Sequence, residues 1–230
     1  MFLQNASFAK RFFMIWYQYL ADPTEVIMDR IITLSRQFGS GGHEIAKRLS
    51  KRLDLPFYDK NILRIVEEKT HYSEAYLLEN EEQVPSLLNG PFYGSGHTSF
   101  YPQISTDKVF FSISHVLKDI AAKGPCIIVG RCSDYVLHEF NPLNFFVYAS
   151  MESKIERKLS LLKENNEPMI SAEEMKKQIR YVDKQRAKYY EFYTDRKWGQ
   201  PANYHLCLNT SDLSIDQAVD ILAYYINSVQ

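Results

Sequence analysis

The sequence predicts an α/β fold of three layers, a five-stranded parallel sheet flanked by helices. Three observations predict it. Short apolar runs alternate with amphipathic helical stretches from Arg30 almost to the C-terminus, which is the pattern of successive βα units. One of those runs, "CIIVG" (126–130), is apolar throughout, as in a strand covered on both faces. The first run ends in the Gly-rich turn "FGSGG", and that turn leads directly into a helical stripe.

The elements are predicted in chain order as follows. The run "IITLS" (31–35) is a strand, and Ile45, Leu49 and Leu53 then recur at helical spacing until "DLP", because the residue before a proline is biased away from the helical region. "PFYD" (56–59) reads as a second strand and "KNILRIVEEKT" as a second helix. Residues 71–107 lose the rhythm; rich in Gly, Pro, Ser and aromatics, they are expected to be an inserted loop region or small lid. Phe110, Ile113, Leu117 and Ile120 share a helix face before the strand at 126–130. "NFFVYAS" (144–150) is a strand, followed by a helix with Met151, Ile155, Leu159 and Leu162 on one side. A capping box at Ser171 opens a long basic helix through Tyr190. "YHLCLNT" (204–210) is the last strand, and "SIDQAVDILAYYI" the last helix.

Bulk properties narrow the function. A chain of 230 residues can hold one sizeable core plus a mobile subdomain. A formal net charge of −1 gives no global basic field, so nucleic acid is not an expected partner. Cys126, Cys132 and Cys207 are too scattered for a zinc set and odd in number for a disulfide framework. They read as small buried residues in a reducing, cytoplasmic compartment. The six histidines show no ligand spacing. Residues 1–27 hold Lys10 and Arg11 ahead of "FFMIWYQYL", a run too short to span a bilayer and without a convincing cleavage site. They are expected to be an extension upstream of a true start at Met28; an aromatic helix that packs on the body or on a surface is the alternative.

The turn after the first strand carries the chemistry. Gly39, Ser40, Gly41 and Gly42 aim backbone N–H groups at one point, and the helix N-terminus adds partial positive charge, which together make an anion site. His43, in the first helical turn, can donate to the same anion. The usual phosphate loop ends Gly-Lys-Ser/Thr, whereas here Gly42 stands at the Lys position. That Lys neutralises phosphate charge as it migrates in phosphoryl transfer, so its absence is a large deficit unless another cation fills the same space. Arg36 is the nearest.

The segments "ITLSRQFGSGGHEIAKRL", "LPFYDKNIL", "GPCIIVGRCSDYVL" and "YYEFYTDRKWG" with the following "NYHLCLNTSDLSIDQAVDIL" resemble the cytidylate kinase-like family over roughly residues 28–230. The resemblance implies a P-loop kinase fold with a lid and acceptor-binding insertions. It implies that Gly39, Ser40, Gly41 and Gly42 cradle donor phosphates, that Asp59, Lys60 and Arg64 contact the acceptor, and that Arg131 points at phosphate. In "DKQR", Asp183 would meet the acceptor's sugar or base and Arg186 its phosphate. Arg180 stands near a further family Arg, one position off. Val129 replaces an Asp that helps organise Mg²⁺ in true cytidylate kinases.

The expected activity is ATP-dependent phosphoryl transfer to a CMP-like nucleoside monophosphate or a similar small phosphorylated acceptor, with ATP and Mg²⁺ required. Arg36, Arg131 and Arg186 are the expected charge stabilisers, and no metal-ligand set is legible. Arg196 and Lys197 belong to a basic segment near aromatics, expected to form part of a lid. The alternatives are a nucleotide-binding protein without catalysis and a kinase of a different small molecule. The stretch "GPFYGSGHT" (90–98) mimics a phosphate-loop spacing without a strand before it, and reads as a plain loop.

Overall fold

Five strands, all parallel, form one sheet in the order β2-β3-β1-β4-β5. They are β1 (Ile32–Arg36), β2 (Phe57–Tyr58), β3 (Ile127–Val129), β4 (Leu143–Tyr148) and β5 (Leu206–Asn209). The computed structural model describes residues 30–80 and 106–229. Residues 1–27 and the 90–98 stretch lie outside that range.

The period-two alternation of β1 and β3 divides the core into two layers. Ile32, Leu34, Ile127 and Val129 face one side, where they meet Phe145, Val147 and Leu208. That side is closed by α1 (Gly42–Leu53) and by α8 (Ile215–Ser228) near the C-terminus, through Ile45, Leu49, Leu222 and Ile226. Ile31 and Ile128 face the other side. There they pack on α2 (Asn61–Lys69), α3 (Glu74–Asn80) and α4 (Thr106–Ala121), through Ile62, Leu77, Ile113 and Leu117. The remaining helices are the short α5 (Ser133–Val136), then α6 (Met151–Glu164) and the long α7 (Ala172–Thr194).

Capping fixes where the later helices start. Ser150 accepts from the Ser153 N–H to open α6. Ser171 with Glu174 and Ser214 with Gln217 form complete capping boxes at α7 and α8. Helix α1 differs: its N-cap is Gly41, and no side chain caps it.

The α/β class, the parallel sheet and the five strands match the sequence reading. The unpatterned stretch does not match throughout, because residues 74–80 are helical and Leu77 is fully buried. A seven-residue helix with one core anchor leaves too short a stripe for periodicity to register. Helix α7 also runs past Tyr190 to Thr194, because Tyr189, Tyr190 and Tyr193 continue its apolar face into the core.

Phe145 sits at the centre of β4, 1% exposed and edge-on to Tyr225 at 5.7 Å. Phe145→Ala is expected to cost about 3–5 kcal/mol, measured by denaturant unfolding, with the largest loss of amide protection in β1, β4 and α8.

Candidate active site

Because every strand runs the same way, the loops that follow them share one edge of the sheet. The chain goes from β3 to β4 across β1, so connections diverge to either side of β1 and open a crevice at its carboxyl end. Residues 37–41 occupy that crevice. Gly41 adopts φ 84° as it enters α1, a left-handed turn that glycine makes without a Cβ penalty. The N–H groups of Gly42, His43 and Glu44 belong to the first helical turn and have no acceptor within the helix. They form the donor fan of an anion site.

The loop is held from beneath and outside. Ser40 is fully buried, its hydroxyl donates to the Gln37 carbonyl at 2.9 Å, and its own carbonyl accepts from Thr210 Oγ1 at 2.7 Å. From α6, Arg157 donates to the Gly39 carbonyl at 2.9 Å and to the Thr210 carbonyl at 3.1 Å.

Arg36 explains the glycine that stands where a lysine was expected. A Cβ on Gly42 would lie 2.5 Å from Arg36 Cβ and 3.0 Å from its Cγ, closer than carbon atoms approach. A Cβ on Gly130 would collide with Arg36 Nη1. The arginine side chain thus passes through a channel cleared by two glycines and is only 14% exposed. No other cation-bearing side chain fits at position 42 while Arg36 is in place.

The guanidinium ends beside Asp59, which follows β2. Arg36 Nη2 lies 3.7 Å and Arg131 Nη1 3.4 Å from Asp59 Oδ1, while His43 Nδ1 lies 2.6 Å from Oδ2. Asp59 is 5% exposed. Burial alone would raise its pKa, but the His43 hydrogen bond and the Arg36 and Arg131 charges outweigh burial and hold the carboxyl at about 2.

A third arginine reaches the crevice from α7. Arg186 Nη1 donates to the Arg36 carbonyl at 3.4 Å, and its guanidinium lies over the Phe38 ring at 5.9 Å. Arg36, Arg131 and Arg186 line one cleft with Tyr189, Tyr190 and Trp198. The cleft floor is the turn Gly130-Arg131-Cys132, whose φ values are 73°, 57° and 53°. Two successive non-glycine residues in that region cost roughly 1–3 kcal/mol each. The strain aims the buried Arg131 side chain inward beneath Arg36. Below the floor, Tyr190 donates to Asp134 Oδ2 at 2.6 Å, and Asp134 Oδ1 has no hydrogen-bond partner among the described residues. Burial pushes the Asp134 carboxyl up.

Two groups at the loop were not singled out in the sequence. Lys154 on α6 is 4% exposed, and its Nζ donates to Gln37 Oε1 at 3.1 Å and to Asp183 Oδ2 at 3.0 Å. Arg157, one turn on, is the carbonyl donor described above. Lys154 sits three residues after Met151, beside the apolar stripe, and a lysine on the edge of a core-facing stripe was the available signal. The resemblance implied that Asp183 meets the acceptor; here its carboxylate faces the loop, where Oδ1 accepts from the Phe38 N–H at 2.6 Å.

Other expected residues lie apart from the cleft. Lys60 is exposed, and Arg64 is 70% exposed, near Glu68 at 3.8 Å along α2. Lys197 and Arg180 are exposed, and Arg196, also exposed, lies over the Tyr135 ring at 5.3 Å. No group of three or more metal-binding side chains exists among the described residues. The donor set therefore fits a Mg²⁺ ion brought by nucleotide phosphates and water, and does not fit one caged by protein.

Two consequences follow for stability. Lys154→Met leaves the Asp183 carboxylate without its buried counter-charge and is expected to destabilise by about 3 kcal/mol, read from denaturant midpoints at constant m-value. Asp59 ionises more readily folded than unfolded, since its pKa falls from 3.8 to about 2. Its contribution, roughly 2 kcal/mol, is complete above about pH 4 and lost as pH falls toward 2. In Asp59→Asn the acid slope of stability in that window should flatten.

Comparison with known proteins bears on the family and the fold. A profile of the cytidylate kinase-like family matches residues 31–212. An uncharacterized protein from Eubacterium ventriosum ATCC 27560 has a similar crystal structure, with 22% identity, coverage of 86% of this chain and 99% of that one, and a TM-score of 0.63. Shikimate kinase from Bacteroides thetaiotaomicron aligns at 14% identity over 86% of this chain and 98% of its own, with a TM-score of 0.52. No curated protein sequence matches. The fold is that of P-loop kinases, and the chain belongs to the cytidylate kinase-like family.

Proposed function

We propose that this protein transfers a phosphoryl group from ATP to a small anionic acceptor, with Arg36 taking the part of the absent loop lysine. The observation that carries this is the channel through Gly42 and Gly130, which delivers a guanidinium to the crevice beside the amide fan. On this reading the residues around the cleft take the following roles. The N–H groups at 42–44 hold the donor's phosphates. Arg36 lies where charge accumulates on the transferring group, and such preorganised cations contribute most when water is excluded. Mg²⁺, when bound with the nucleotide, supplies neutralisation of phosphate charge and contributes no protein-ligated step. Arg131 and Arg186, with Tyr189 and Trp198 beside them, suit an acceptor that carries both an anion and a flat ring. The family name makes a CMP-like nucleoside monophosphate the first acceptor to try; the fold it shares with shikimate kinase also admits other small molecules.

One observation favours a second reading, a nucleotide-binding protein without catalysis. The Phe38 N–H, which leads the loop, is already spent on Asp183, so the cradle offers fewer donors than its length suggests.

Calorimetry with Mg-ATP and ADP release with a panel of small phosphorylated acceptors separates the two. Binding with turnover is expected; binding without turnover on any acceptor would support the second reading. Arg36→Ala should lower turnover by about 10²–10³-fold. Gly42→Lys alone should also be impaired, since Arg36 occupies the space. Arg36→Ala combined with Gly42→Lys clears that space and should recover part of the loss over Arg36→Ala. Turnover by Arg36→Ala at the original rate would remove Arg36 from the mechanism.

A further inference from the structure

We infer that His43 is a catalytic general base, oriented by Asp59, and that the acceptor attacks through a hydroxyl oxygen and not through a phosphate oxygen. This rests on the phosphoryl-transfer reading above and narrows its acceptor class.

The geometry begins with a buried carboxylate. Asp59 is almost fully enclosed, and two guanidinium groups lie near its other oxygen. They keep it ionised, and an ionised carboxylate only accepts hydrogen bonds. His43 Nδ1, 2.6 Å away, must therefore be the donor. In the neutral ring that assignment leaves the lone pair on Nε2. The ring stands edge-on to Phe57, with centroids 5.7 Å apart and planes at 74°, and its side chain is 56% exposed. One nitrogen is thus tied to the protein interior while the exposed ring keeps Nε2 available to a ligand. His43 is the second residue of α1, so its own N–H belongs to the amide fan that receives phosphate. A base and a phosphate cradle share one residue.

Charged groups near His43 among the described residues come from several elements. Asp59 bonds it directly; Arg36 from β1 and Arg131 from the turn after β3 stand behind Asp59. On its own helix, Glu44 is engaged by Arg48 at 2.8 Å, and Lys47 is exposed. Asp59 already accepts from His43 Nδ1, and Glu44 already accepts from Arg48.

Such a base matters only for one kind of acceptor. A phosphate monoester is largely ionised near neutral pH, so its oxygens attack without losing a proton. A hydroxyl must give one up. The balanced step is this: the acceptor O–H proton moves to His43 Nε2 as the oxygen bonds to the γ-phosphorus, and the bond from that phosphorus to the bridging oxygen breaks. ADP leaves with that electron pair, and His43 later returns the proton to solvent. A well-placed base of this kind contributes about 10²–10⁴-fold.

The discriminating variant is His43→Asn. Its amide N–H replaces Nδ1 and keeps the tether to Asp59, but nothing replaces Nε2. The experiment uses the full chain with Mg-ATP and two acceptor sets: alcohols carrying a carboxylate or phosphate, and nucleoside monophosphates. It follows ADP release and the phosphorus NMR signal of the product. The expected results are a phosphate-ester product, a kcat for His43→Asn at least about 10²-fold lower with ATP affinity and thermal stability retained, and loss of the acid limb from the kcat–pH profile. A phosphoanhydride formed on a nucleoside monophosphate would overturn the inference while leaving phosphoryl transfer standing. So would His43→Asn with the wild-type rate and pH profile. Wild-type protein that binds ATP and turns over no acceptor would overturn both.

Discussion

The site depends on one steric exchange: a side chain forbidden at position 42 and an arginine admitted at position 36. Arg36 leaves β1 at its carboxyl end, passes between two glycines and stops against the carboxylate of Asp59. Each contact constrains the next. Gly42 must lack a side chain because Arg36 is there. Gly130 turns at φ 73°, where a side chain would be strained, and that left-handed turn leads into the strained pair Arg131 and Cys132. Burial would raise the Asp59 pKa, but the His43 hydrogen bond and then the Arg36 and Arg131 charges overcome that cost of desolvation.

The loop itself is less free than a bare glycine turn. Lys154 and Arg157 brace it from α6, and Asp183 does so from α7, through the Phe38 N–H. Helix α7 also lines the cleft, through Arg186, Tyr189 and Tyr190. A movement of α7 would carry Asp183 away from Phe38 and release an amide toward the crevice, and it would shift Arg186 relative to Arg36 in the same motion.

Much of this was legible in the residues. Alternating strands and helices gave the layers, and the three arginines singled out at 36, 131 and 186 line one cleft. The reasons are local: an arginine next to a Gly-rich turn, or after a buried strand, has few places to go. What was hidden depends on distant contacts. Lys154 reads as an ordinary helix-face lysine until α6 is laid on the loop. Asp183 lies 145 positions from the Phe38 N–H it accepts from, and no spacing rule connects them. His43 was visible as a possible phosphate donor, but its pairing with Asp59 required β2 to end beside the first turn of α1. Helix α3 was missed because seven residues with one core anchor look like loop.

A crystal structure with a non-hydrolysable ATP analogue and Mg²⁺ tests the central claim most directly, through the distance from the Arg36 guanidinium to the nearest β- or γ-phosphate oxygen. The account requires contact at about 2.7–3.2 Å, with Gly42 still packed on the arginine stem. Phosphates seated on the 42–44 amides while Arg36 remains turned to Asp59, with another cation in their reach, would contradict it.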